Sequence, residues 1–75
     1  MARLPSVSGQ RLVRALKRAD FVELRQKGSH VSLEKRTPEK GYRTIVPMHS
    51  TLAKSTLSDI LKQCGLTPDQ LRDLL

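Results

Sequence analysis

Seventy-five residues make one domain at most, expected over residues 1–75, and so short a chain buries little more than half of the surface its unfolded form exposes. With one Phe, one Tyr and no Trp, packing falls to Leu, Val and Ile, which excludes a deep enclosed active site and favours one on an open sheet face or completed by a partner. Fourteen Lys and Arg against seven Asp and Glu leave a net charge of +7, which concentrates polyanions: nucleic acid is the first partner to expect and an acidic protein the second.

"PSVSGQRLVRALKRAD" predicts a first helix. Ser8 is its N-cap, because a hydroxyl accepts from an orphan N–H of the first turn. Leu12, Val13, Leu16 and Ala19 fall at helical spacing and form the apolar stripe, with Arg11, Arg14, Lys17 and Arg18 around the other side. "FVELRQ" and "HVSLEK" then alternate with a period of two, and "KGS" between them is a short turn in which Gly28 can take a positive φ. "RTPEKG" reads as a wider loop. "YRTIVPM" is rich in β-branched residues and makes a third strand, with Pro47 near its end because Pro cannot donate to a ladder.

"HSTLAKS" leads into a helix over "TLSDILKQC", where Thr56 and Asp59 have capping-box spacing, Ser55 is an alternative cap and Gly65 fits the C′ position. Cys64 stands beside Leu57, Ile60 and Leu61 and suits a small core residue. As the one cysteine, it excludes an intrachain disulfide and a multi-cysteine zinc site. "TPDQLRDLL" adds a short terminal helix with Thr67 as cap, Pro68 in first place, Gln70 completing a second box, and Leu71, Leu74 and Leu75 as the apolar side. The expected architecture is therefore α+β: a three-stranded antiparallel sheet with helices on one face and solvent on the other. No apolar run at the N-terminus matches a signal peptide, and no segment approaches a membrane span, so the expected location is the cytoplasm, with no membrane partner.

On the strand from His30 to Glu34, Val31 and Leu33 point one way and His30, Ser32 and Glu34 the other. The apolar pair faces the helices, which leaves His30 on the open face beside a turn. An imidazole there can take or give a proton near neutral pH, or it is a solvated strand residue with no chemical task; spacing alone allows both. A hairpin that pairs Val31 with Val46 and Leu33 with Thr44 sets His30 opposite Pro47. His49 then lies on the same face, diagonally across, at roughly 7–8 Å between Cα atoms. Two imidazoles so placed can flank a phosphodiester as base and acid. A one-residue slip would turn His49 to the other face, and a loop or capping role for it is equally open.

Arg25, Lys27, Lys35, Arg36, Arg43 and Lys54 cluster around the two hairpins, where they either straddle a phosphate backbone or form a solvated surface. Tyr42 stands alone and Phe21 is expected to pack inward, so no aromatic platform for single-strand stacking is present. There is no metal-ligand spacing, phosphate-binding glycine loop or nucleophile elbow, so neither metal nor cofactor is expected.

Taken together, "VSGQRLVRALKRADF", "QKGSHVSLEK", "TIVPMH" and "STLSDILKQCGLTPDQL" resemble the HicA toxins of bacterial type II toxin–antitoxin systems over nearly the whole chain. The Gly28-Ser29-His30 turn, the Val46-Pro47-Met48-His49 segment and the helix around Ser55, Thr56, Leu57, Ile60 and Leu61 stand in that family's order and spacing. The resemblance implies a fold like a double-stranded-RNA-binding domain, α-β-β-β-α, and a toxin that blocks translation by cleaving mRNA. It implies that His30, in the Gly-Ser-His motif, is catalytic, and that a HicB antitoxin covers the toxin and blocks the site. A monomer when free and a hetero-oligomer with the antitoxin are expected. The part given to His49 comes from the hairpin geometry alone.

The combined expectation is a metal-independent endoribonuclease with His30 as base, Lys27 or Arg43 stabilising charge on the phosphate, and His49 or water as acid. Arg25, Lys27, Gly28, Ser29, Lys35, Arg36, Arg43 and Lys54 are the expected RNA-binding positions. The alternative is a non-catalytic double-stranded RNA-binding module. Such a module carries a lysine cluster at the start of its last long helix, where this chain has only Lys54, followed by Ser55 and Thr56. A third reading is a protein whose only task is to bind an acidic partner.

Overall fold

The computed structural model describes residues 4–75. Its elements run α1 (Gly9–Arg18), β1 (Val22–Lys27), β2 (His30–Arg36), β3 (Gly41–Pro47), α2 (Lys54–Cys64) and α3 (Pro68–Leu74). The strands form one antiparallel sheet in the order β1-β2-β3, and the helices cover one of its faces, as the hydrophobic pattern predicts.

α1 begins where Ser8, in extended conformation, accepts from the Arg11 N–H at 3.1 Å. Leu12, Val13, Ala15 and Leu16 are buried; Ala19, expected on this stripe, is instead the half-buried C-cap. The chain then turns through Asp20 at φ 71, a conformation that Asp tolerates better than most side chains. The turn lets the Phe21 N–H donate to the Leu16 carbonyl at 3.0 Å and carries the Phe21 ring into the core.

The alternation expected of "FVELRQ" does not survive folding. Glu23 pairs with Leu33 but Arg25 pairs with Ser32, so Leu24 is the extra residue of a bulge, and every residue of β1 is exposed. A bulge on an edge strand resets which residues share a face. Val22, Arg25 and Lys27 end on the open side, opposite Glu34, Ser32 and His30. Glu23 falls on the helical side, where it meets Lys17 of α1 at 3.2 Å.

β2 and β3 pair in the register that the pattern predicts: His30 with Pro47, Val31 with Val46, Leu33 with Thr44. Val31, Leu33, Val46 and Thr44 are buried beneath the helices, and the Thr44 hydroxyl donates to Gln63 Oε1 at 2.7 Å, so its burial leaves no unpaired polar atom. Leu12, Leu16, Leu33, Leu57 and Leu71 are fully enclosed, each contributing about 1.5–3 kcal/mol by leaving water.

α2 does not start at the expected cap. Its N-cap is Ala53, with no side-chain cap bond, and Ser55 and Thr56 already lie inside the helix. The cause is tertiary. Leu52 is buried and its N–H donates to the Val7 carbonyl at 2.9 Å, which fixes the point of entry. Burying a leucine outweighs a capping bond worth about 1 kcal/mol. Gly65 ends α2 at φ 69, and the second capping box forms as expected, with Gln70 N to Thr67 Oγ1 at 3.1 Å and Thr67 N to Gln70 Oε1 at 2.8 Å. Arg18 donates to the Leu74 carbonyl and ties α3 to α1.

Cys64 is buried as expected, and burial pushes its thiol up from 9.0 to about 11, against the smaller opposing effect of its hydrogen bond with Thr44. Unfolded chains therefore lose this proton at lower pH than folded ones. The stabilisation is complete below about pH 9 and is lost as pH rises towards 11. Urea unfolding from pH 8 to 11 should show a fall on the order of 2 kcal/mol in the wild type beyond that of a Cys64→Val variant.

Candidate functional site

The face without helices is built from three cross-strand rows. The first is Lys27, His30 and Pro47; the second Arg25, Ser32 and Ile45; the third Val22, Glu34 and Arg43. His30 opens β2 and is exposed, with Lys27 on one flank and Pro47 on the other. Directly opposed residues of this kind have Cα atoms about 5 Å apart, so Lys27 and His30 are immediate cross-strand neighbours on this face.

The turn that carries His30 is held at both of its carbonyls. Gly28 takes φ 60, as expected, and its carbonyl accepts from the Gln26 side-chain amide at 3.2 Å. The Ser29 carbonyl accepts from the Met48 N–H at 2.6 Å, one residue past the end of β3. Gln26 was not among the expected site residues, and a glutamine two residues from a turn glycine carries no chemical signature that would single it out.

α1 braces the same corner from beneath. The Gly9 N–H donates to the His49 carbonyl at 2.9 Å. A Cβ on Gly9 would overlap the Pro47 carbonyl oxygen and stand 2.8 Å from Met48 Cα. Gly9 is thus glycine because β3 ends against it. Its place beside the Ser8 cap was the available signal, and a capping reading passes over it. Met48 packs on the core while His49 is exposed.

The expected RNA-binding residues divide into two groups. Arg25, Lys27, Gly28 and Ser29 lie on or beside the first two rows, and Arg43 stands in the third. Lys35 has the parity of Val31 and Leu33 and lies over the Phe21 ring, 5.9 Å from its centroid, away from His30. Arg36 sits at the far end of β2, its Nε 3.5 Å from Glu34. Lys54 donates to the Leu4 carbonyl at 2.8 Å and to Ser6 Oγ at 3.2 Å, which fastens the N-terminal segment to the start of α2. A groove of about 550 Å³ opens around the β2–β3 loop, between Glu34, Pro38 and Tyr42, at the opposite end of the sheet from His30. No group of three His, Cys, Asp or Glu side chains converges among the described residues. Among them no helix is long and apolar enough to cross a membrane.

The family model described as the HicA toxin of bacterial toxin–antitoxin systems matches residues 9–66, from the first residue of α1 to just beyond α2. A search of curated proteins finds no match. The matched span takes in the whole sheet, the Gly28-Ser29-His30 turn and the Gly9 contact.

Replacing Gly9 tests the brace directly. Gly9→Ala, at the first position of α1, gains less than the about 1 kcal/mol of helix preference of an interior site and must displace main chain at Pro47. Overpacking of this kind costs about 1–3 kcal/mol, so a net loss of stability is expected, read as a lower urea midpoint. A midpoint that rises would mean that β3 ends with room to spare.

Proposed function

This chain belongs to the HicA toxins, the toxin half of a pair whose other half is a HicB-type antitoxin, and we propose that it acts as an endoribonuclease that cleaves mRNA at His30. The observation that carries the reading is the row of Lys27, His30 and Pro47: an exposed imidazole beside an ammonium, on an uncovered face, at a turn anchored through both carbonyls.

An imidazole nitrogen of His30 takes the proton of a ribose 2′-OH. The 2′-oxygen attacks the adjacent phosphorus, and the bond from phosphorus to the 5′-oxygen breaks. That oxygen leaves with a proton from His49 or from water. The products are a 2′,3′-cyclic phosphate and a 5′-hydroxyl, and DNA, lacking the 2′-OH, is bound but not cut. Charge that builds on the phosphate is met by Lys27, the direct neighbour of His30. Arg43 is four residues along β3 from Pro47, roughly 13 Å away at strand spacing, and serves the strand's other phosphates. The HicB-type antitoxin inhibits by covering this face, giving a monomer when free and a hetero-oligomer when bound.

The reading as a duplex-RNA-binding module loses its support at Lys54. That lysine is alone at the start of α2, and its ammonium is engaged by Leu4 and Ser6.

His30→Ala removes an exposed side chain and no core, so its unfolding midpoint should match the wild type. RNA cleavage should fall at least about a hundredfold and growth inhibition should vanish. A variant that stays toxic rejects the assignment. His49→Ala should slow cleavage less, by about tenfold, and an unchanged rate would leave the proton to water. Cleavage should persist in EDTA; activity lost to the chelator and restored by magnesium would show that a metal supplies the missing charge.

A further inference from the structure

A second concavity lies one row from His30. Leu24, Arg25, Ser32, Arg43 and Ile45 line a groove of about 440 Å³ in the middle of the open face. Two of its walls are bulky aliphatic side chains in water: Leu24 is 43% exposed and Ile45 54%. Leu24 is there because the bulge leaves it without a cross-strand partner, and Ile45 because it has the parity of Pro47. Isolated exposed aliphatics are ordinary on a protein surface. These two share a groove with two guanidiniums, and the Arg25, Ser32 and Ile45 row is roughly 6–7 Å from the His30 row along the strands.

We propose that this groove seats one nucleobase of the RNA, from a nucleotide flanking the scissile phosphate. Leu24 and Ile45 lie against the face of the base, Arg25 and Arg43 hold the phosphates on either side, and the Ser32 hydroxyl meets the edge of the base. The inference rests on the ribonuclease reading and adds a subsite to it.

Charge on the face fits this occupant. Arg25, Lys27 and Arg43 stand against Glu34, whose carboxylate is already beside Arg36. With no aromatic side chain lining the groove, contact with the face of the base falls to Leu24 and Ile45.

The test is a thermodynamic cycle on a short RNA holding one bond that the wild type cuts. The nucleotides flanking that bond are replaced in turn by an abasic ribose, and kcat/KM is measured for wild type and Ile45→Ala. One of the two abasic RNAs should lose about tenfold with the wild type. Ile45→Ala should lose a similar factor on the intact RNA and little more on the abasic one, because the same contact is already gone. Losses that multiply independently overturn the proposal. So does an Ile45→Ala variant with intact RNA kinetics and weakened binding to the HicB-type antitoxin, which would make the groove a protein contact. A wild type that cuts no RNA rejects the nuclease reading instead. Fluorescence anisotropy with the same RNAs then still decides the groove: base-dependent affinity lost in Ile45→Ala supports it, and equal affinity for intact and abasic RNA removes it.

Discussion

A β-strand sends successive side chains to opposite faces, so burying Val31 and Leu33 leaves His30 and Ser32 only the other side. The remaining features of the molecule follow from that alternation. A chain with so few large apolar groups can cover one face of a three-stranded sheet and no more. The uncovered face then collects whatever has the opposite parity: a histidine, a serine, an isoleucine and a proline on the central and third strands, with cations beside them. A slip of one residue between β2 and β3 would bury the imidazole and expose Val31, and the enclosed leucines and valines of the core make such a slip prohibitive.

Parity aims His30 but does not hold it still. A residue at the head of a strand, next to a two-residue turn, would fray in an isolated hairpin. Main-chain bonds at one corner prevent this. Gln26 and Met48 occupy the two turn carbonyls, and Gly9 sets the start of α1 against the end of β3. The brace costs little apolar surface, which suits a small core. It also joins the position of His49, through its own carbonyl, to the first turn of α1, so the two histidines are referred to the same rigid corner.

The register of the second hairpin was legible because it had a clean two-residue period, β-branched residues and a proline that could only stand near the end of a ladder. Ser8 and Thr67 were legible as caps because nothing tertiary competes with them. Thr56 and Asp59 offered the same local grammar and were overridden, since Leu52 anchors the chain to Val7 before the box is reached. The bulge at Leu24 has no sequence signal: "FVELRQ" alternates well enough to be read as regular, and only the pairing with β2 shows which residue is left over. Lys35 stands near both hairpins in sequence, but the alternation that aims His30 outward places it on the opposite side.

A net charge of +7 is a property of the whole body and serves attraction at long range, where position hardly matters. Within a Debye length, position is decisive, and many of the cations are committed elsewhere: Lys35 to the Phe21 ring, Lys54 to the N-terminal segment, Lys17 to Glu23, Arg18 to α3. Arg25, Lys27 and Arg43 remain on the open face, one on each row. Arg25 and Lys27 stand two residues apart on β1, a repeat set by the pleat, and Arg43 stands across β2 on β3. The sheet therefore does more than present a histidine. It gathers positive charge on the face that carries His30, and moving Lys27 or Arg43 by one residue along its strand would turn that cation towards the helices.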